Sequence, residues 1–163
     1  IIIGPGRKIE NGNKYHWEPI ETTITSMQGG GGKRDQMTAG GLCGFGTLLD
    51  PSITTADNLS GQVLAKKGEL PEVRTECSIQ VNLMKNMVAG DGEEPETIHP
   101  LRNNEMLMVN VATSTSVGIV KGVEKNNAKL HLRLPICADK GQRVSLSRRV
   151  GARWRLIGHG TIQ

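Results

Sequence analysis

The side chains most able to do chemistry here are four histidines, three cysteines and a set of arginines. His16, His99, His131 and His159 stand apart, with no H-E-x-x-H run for a metal and no G-x-S-x-G elbow for a nucleophile. His131 falls on the polar side of an alternating segment, which predicts a solvated ring. Cys43, Cys77 and Cys137 are an odd number at wide spacings, with no C-x-x-C pair. That pattern predicts buried, reduced thiols rather than a disulfide frame or a zinc site. Asn58-Leu59-Ser60 matches a glycosylation triplet, read as coincidence in a chain expected to be cytoplasmic. Catalytic residues are therefore expected to be none, and metal ligands none. Binding is the chemistry left.

Two glycine-rich runs and one arginine cluster are the candidates for it. Gln28-Gly29-Gly30-Gly31-Gly32-Lys33-Arg34 invites comparison with a phosphate-binding loop. That motif needs Gly at position 27 and Ser or Thr at 34, where Met27 and Arg34 stand, and no long helix follows. A hairpin loop between two strands is expected instead. Gly40, Gly41, Leu42, Cys43, Gly44, Phe45 and Gly46 lack dinucleotide spacing. Glycine inside a strand marks close approach, either by a ligand or by a neighbouring backbone in a tight barrel. Arg148, Arg149, Arg153 and Arg155 flank Val150-Gly151-Ala152, a hairpin tip that Trp154 is expected to anchor. Solvation, phosphate contact and ion pairing across a domain interface are all open to these arginines.

The charge balance, 20 Lys+Arg against 16 Asp+Glu for a net +4, permits an RNA partner without demanding one. Its distribution is sharper. Residues 141–163 carry five arginines and no acid, whereas residues 91–105 carry Asp91, Glu93, Glu94, Glu96 and Glu105 against Arg102 alone. No run approaches the ~18 apolar residues of a membrane span, so no membrane partner is expected. The chain opens on Ile1-Ile2-Ile3 with no initiator Met and no signal peptide, which suggests a piece of a longer protein.

The elements that must position these residues are strands. Residues 76–83, 129–134, 143–147 and 153–156 alternate polar with apolar, the period of a strand with one wet face. Residues 105–111 are more uniformly apolar and suggest a strand buried on both sides. Turn signals fall at Gly90-Asp91-Gly92, Asn103-Asn104, Lys125-Asn126-Asn127, Lys140-Gly141 and Val150-Gly151. Residues 83–88 could hold a short helical turn, and no longer helix is expected. With four aromatic residues in the chain, the core must come from Val, Leu, Ile, Met and Ala. A boundary is expected near residues 57–61. After it come six or seven strands, enough for a barrel. Before it only about three are expected, around residues 19–27 and 41–49, too few to bury both faces. The reading is all-β, with residues 1–60 as the end of an incomplete barrel and 61–163 as a complete one.

The closing stretch Ser145-Leu146-Ser147-Arg148-Arg149-Val150-Gly151-Ala152-Arg153-Trp154-Arg155-Leu156-Ile157-Gly158 resembles the last hairpin of the gamma-subunit family of archaeal and eukaryotic translation initiation factor 2. Gly40-Gly41-Leu42 through Gly46-Thr47-Leu48-Leu49-Asp50-Pro51, Ala56-Asp57-Asn58-Leu59-Ser60-Gly61-Gln62-Val63, Leu101-Arg102-Asn103-Asn104-Glu105-Met106-Leu107-Met108 and the short turn Ser114-Thr115-Ser116 with Val117-Gly118 agree in order. The wording is closer to archaeal members. His159 departs from the aromatic residue usual in the family, and the loop at residues 29–32 is unlike that of typical members.

The resemblance implies two elongation-factor-Tu-like β-barrels, the first incomplete here, from a GTPase that forms the core of a heterotrimer. Such a factor carries initiator Met-tRNA to the small ribosomal subunit. The resemblance places the aminoacyl end of tRNA beside the strand that holds Gly40, Gly41, Leu42, Gly44, Phe45 and Gly46. It also implies that the alpha subunit docks on the second domain. The beta subunit, GTP and magnesium belong to a nucleotide domain missing from this chain, which itself needs no cofactor. Rival expectations are a related elongation or selenocysteine-specific factor, or a β-barrel interaction module with no carrier role.

Overall fold

Strand pairing accounts for almost all the regular structure. The computed structural model describes residues 1–38, 40–87 and 96–163, which form two units, Ile1–Leu70 and Pro71–Gln163. The expected turn at Gly90-Asp91-Gly92, the acids Asp91, Glu93 and Glu94, and the end of the expected helical turn at Val88 lie outside the described residues.

The first unit holds two small antiparallel sheets. β1 (Ile2–Asn11) and β2 (Lys14–Glu21) form a hairpin, β3 (Ile24–Gly29) and β4 (Gly32–Lys33) a second, and β5 (Cys43–Thr47) pairs with β3. A single helical turn, α1 (Pro51–Thr54), is capped by Asp50, whose Oδ1 accepts from Ser52 N at 2.8 Å. β6 (Val63–Ala65) then returns to β1, giving the orders β2-β1-β6 and β4-β3-β5. The β1–β2 hairpin was not expected, although Asn11-Gly12 is a strong hairpin-turn dipeptide. Its arm mixes Lys8, Glu10, Lys14 and Glu18 with apolar residues on largely exposed faces, so no clean alternation marks it. Between Ile3 and Arg7, β1 bulges at Gly6 (φ +88°), where a Cβ would stand 1.9 Å from the Glu18 carbonyl oxygen. The Gln62 amide fills the broken ladder there: its Oε1 accepts from Gly6 N and its Nε2 donates to Gly6 O, each at 2.8 Å. This clamp and the β6 pairing carry the first unit past Gly61 to Leu70.

The second unit is a closed barrel. Its strands are β7 (Val73–Leu83), β8 (Met106–Val111), β9 (Ser114–Glu124), β10 (Asn127–Cys137), β11 (Arg143–Val150) and β12 (Arg153–Ile162), in the order β10-β7-β12-β11-β8-β9 with β9 back on β10. Every pairing is antiparallel. Alternate residues point inward, so Ile79, Leu107, Val109, Leu130, Leu146 and Ile157 are almost wholly buried. β8 is not buried on both sides as expected. Leu107, Val109 and Val111 face the core while Met106 is 56% exposed. Because Met106 and Met108 are apolar too, the sequence hides the alternation. Similarly, residues 114–116 are not a turn; they begin β9, and the chain reverses at Ala112-Thr113 with Ala112 at φ +50°. Among the described residues no helix is long and apolar enough to cross a membrane.

A barrel of six strands has a narrow interior, and glycine makes room in it. A Cβ at Gly160 would lie 2.2 Å from Ile79 Cγ2, and one at Gly158 would lie 2.4 Å from the Asn82 carbonyl oxygen. Ser116 repairs the ladder where β10 leaves its register: its Oγ donates to Leu134 O at 2.7 Å and accepts from Leu134 N at 3.1 Å. Of the cysteines, Cys77 and Cys137 are buried as expected, whereas Cys43 is exposed because it lies on the edge strand β5. Desolvation by burial pushes both buried thiols from 9.0 up to about 11.

Gly158→Ala forces a methyl group against backbone and should cost about 1–3 kcal/mol, read as a lower urea midpoint at unchanged slope. A thiol reagent should modify Cys43 in the native chain and reach Cys77 and Cys137 only on unfolding. Since the folded thiols hold their protons to higher pH than unfolded ones, their contribution is complete below pH 9 and is lost as pH rises toward about 11. Unfolding midpoints across that range check the sign.

Candidate binding surfaces

The glycine-rich strand is accessible because of where pairing leaves it. β5 has one neighbour, β3, with Gly29 opposite Cys43, Gln28 opposite Gly44, Met27 opposite Phe45 and Ser26 opposite Gly46. Among the described residues its other edge carries no partner strand. Gly40 and Gly41 lead in at φ +112° and +76°, conformations that favour glycine. Leu42 is 94% exposed, Cys43 and Gly44 are exposed, and Phe45 is half-buried.

The glycines separate by what surrounds them. A Cβ at Gly46 would stand 2.4 Å from Ser26 Oγ, so close packing against the β3 bulge explains that residue. At Gly40, Gly41 and Gly44 a Cβ would meet nothing within 4 Å. Left-handed backbone accounts for the first two. Neither packing nor conformation accounts for Gly44. Beside it lies an open cleft of about 670 Å³, walled by Leu42, Cys43 and Gly44 and by residues 28–33.

The run Gly29 to Gly32 forms the expected hairpin. Gln28 pairs with Lys33 and Gly29 with Gly32, while Gly30 (φ +59°) and Gly31 (φ +85°) make the turn. Arg34 Nε donates to Gly29 O at 3.0 Å and steadies it. A nucleotide phosphate needs a strand-to-helix loop with converging amides, and a two-residue hairpin does not supply one.

The four arginines of the β11–β12 hairpin are not equivalent. Arg148 points toward the barrel end, 17% exposed at its side chain, and ion-pairs through Nε with Glu105 Oε1. Its Nη2 reaches Glu105 Oε2 at 3.3 Å and Pro100 O at 3.4 Å, and its Nη1 donates to His99 O at 3.0 Å. Glu105 also accepts from Arg102 N at 3.0 Å. The guanidinium thus ties residues 99–105 to β11. Arg155 stands directly across from Arg148, half-buried and already engaged. Arg149 and Arg153 are exposed, Arg149 Nε donating to Gly151 O at 3.3 Å. Trp154 is not the anchor expected of it. It faces outward at 36% exposure, and Val150 packs against the core instead.

Sequence reasoning missed Glu105 as the partner of Arg148. Its position just after the Asn103-Asn104 turn was the available signal, but a sequence separation of 43 hid the contact. It also missed the outward apolar residues of β8 and β9. Elsewhere on the barrel, His131 Nδ1 lies 3.4 Å from Glu76 Oε1 on the wet face, as expected of a solvated ring.

Comparison with known proteins supplies the context. The family described as initiation factor eIF2 gamma, C terminal, matches residues 75–162, more than half of the chain. A protein from Methanococcus aeolicus named translation initiation factor 2 subunit gamma is 50% identical over all 163 residues, which cover 39% of its length. Proteins of the same name from Methanothermobacter thermautotrophicus and Haloquadratum walsbyi are 45% and 42% identical over the whole chain, covering 40% and 39% of theirs. The chain therefore spans about two fifths of the length of these relatives. On both the family match and the full-chain similarity, it belongs to the gamma-subunit family of translation initiation factor 2.

Proposed function

We propose that this chain supplies the tRNA- and subunit-binding barrels of a factor that carries methionyl initiator tRNA to the small ribosomal subunit as a GTP-dependent heterotrimer. The observation that carries the reading is the family membership combined with the open strand around Gly44. A bare backbone with an empty flank lets a ribose or an aminoacyl ester approach to hydrogen-bonding distance, which a side chain at Gly44 would prevent.

In this reading the first unit is the end of the second domain. It also receives the alpha subunit. The second unit is the third domain. GTP and magnesium are held by the preceding nucleotide domain, where the beta subunit docks, and no step of GTP hydrolysis is assigned to residues of this chain. The cytoplasm is the place of action.

Three roles divide the site residues. Gly40 and Gly41 set the path of the chain into β5. Gly44 leaves the approach open, with Leu42 and Phe45 bordering it. Gly46 holds β5 tightly on β3. Arg148 is a structural cation in this scheme, spent on Glu105 and two carbonyl oxygens, so phosphate contact falls to arginines other than it.

Two experiments test this. In the complete subunit with its alpha partner and a GTP analogue, Met-initiator-tRNA should bind more tightly than deacylated tRNA, and Gly44→Val should shrink that difference by roughly tenfold. Equal affinities for the two tRNAs in the unmodified subunit would sink the role given to β5. Arg148→Gln should lower the stability of the barrel by roughly 2–3 kcal/mol, because Glu105 is left partly buried without its cation. The salt dependence of tRNA binding should keep its slope in that variant; a shallower slope would reassign Arg148 to phosphate.

A further inference from the structure

Of the ten asparagines in the chain, Asn11 alone is followed by glycine. The fold sets that pair at the tip of the β1–β2 hairpin. Asn11 closes β1 opposite Lys14, which opens β2, so Gly12 and Asn13 make the whole turn. All four residues are exposed. Gly12 takes φ +62°, and a Cβ there would meet nothing within 4 Å. Among the described residues no hydrogen bond engages the Asn11 side-chain amide or the Gly12 N–H.

That arrangement exposes a reactive pair. Asparagine is thermolabile because the backbone nitrogen that follows it can attack its side-chain carbonyl carbon. A side chain on the following residue hinders the attack, and glycine has none. Elsewhere the fold withholds the nitrogen or crowds it. Asn104 N, the group that would attack Asn103, donates to Val120 O at 2.7 Å. Asn82 and Asn110 lie inside β7 and β8 and precede Leu83 and Val111.

We propose that Asn11 is a site of spontaneous deamidation and isoaspartate formation, a point of chemical ageing on the first unit. Gly12 N attacks Asn11 Cγ and gives its proton to a solvent base. The Cγ–Nδ2 bond breaks, and the side-chain nitrogen takes up a proton and leaves as ammonia. A five-membered succinimide then joins the two residues. Water opens this ring at either carbonyl: cleavage at Cγ gives aspartate, and cleavage at the main-chain carbonyl gives isoaspartate. One water is consumed and one ammonia released, with no oxidant or reductant. The aspartate form puts a carboxylate beside Lys14 and keeps the pairing. The isoaspartate form routes the backbone through the side chain, adds one atom to the turn and unseats the Asn11–Lys14 pair. Its displaced α-carboxylate is the group that an S-adenosylmethionine-dependent carboxyl methyltransferase esterifies, the reaction class that consumes this product. The proposal rests on the hairpin and is independent of the tRNA site at Gly44.

Peptide mapping by mass spectrometry tests it on the complete native subunit held at mildly alkaline pH. The peptide that contains Asn11 should show the mass change of NH2-to-OH exchange before any other asparagine peptide. Its rate should lie within about tenfold of the rate in the unfolded subunit, because a hairpin tip opens at almost no free-energy cost. Methyl transfer to the native subunit by a protein isoaspartyl methyltransferase should rise in step, and Asn11→Gln should lower it. An Asn11 that stays intact in the native subunit while the unfolded subunit loses it would overturn the proposal. So would earlier conversion of another asparagine, or methyl acceptance left unchanged by Asn11→Gln.

Discussion

Closure of the six-stranded barrel is the constraint on which the rest of the second unit depends. Once β9 returns to β10, no strand of it has a free edge, and every residue is assigned to an inside or an outside. The inside is filled by Val, Leu and Ile, because a barrel this narrow leaves little space for rings. It tolerates Gly158 and Gly160 because backbone and the Ile79 side chain occupy the space their missing Cβ atoms leave. It keeps Ser116 because a hydroxyl can stand in for a ladder hydrogen bond at the β10 irregularity.

The first unit shows what happens without closure. Its six strands make two separate three-stranded sheets, and among its described residues the buried apolar side chains are Ile3 and Pro5. Such sheets bury too little to be expected to stand alone, which agrees with a chain that spans about two fifths of its relatives. The same openness makes β5 reachable. An edge strand with an unpacked glycine gives up packing and leaves room for a ligand, so the sparse core and the proposed function share one cause.

Charge follows the same logic of position. Arg148 and Arg149 are adjacent in sequence and both cationic, yet a strand sends successive side chains to opposite faces. Arg148 turns to the barrel end and meets Glu105, where the pair is shielded from water and held by two backbone carbonyls. Arg149 turns to the outer face beside Trp154. A cluster of like residues is thus divided between internal structure and a surface open to a partner.

Much of this protein was legible in its sequence. Period-two alternation determined β7, β10, β11 and β12, because one face must be wet and the other dry. Turn residues fixed the reversals at Asn104, Lys125, Gly141 and Gly151, each of which adopts the left-handed backbone its type or place allows. The missing catalytic spacings pointed to binding, and the word order of the motifs pointed to the family. Other features depended on contacts across long stretches of chain. Residue type says nothing of whether a methionine faces in or out, so only the barrel decided that Met106 is exposed while Leu107 is buried. Likewise Cys43 is exposed and Cys77 buried because one lies on an edge and the other on a closed wall. Which glycine is open and which is packed was decided by register with β3, and the partner of Arg148 by closure that brings Glu105 to it. Local periodicity can specify the faces of a strand; what those faces meet is a property of the fold.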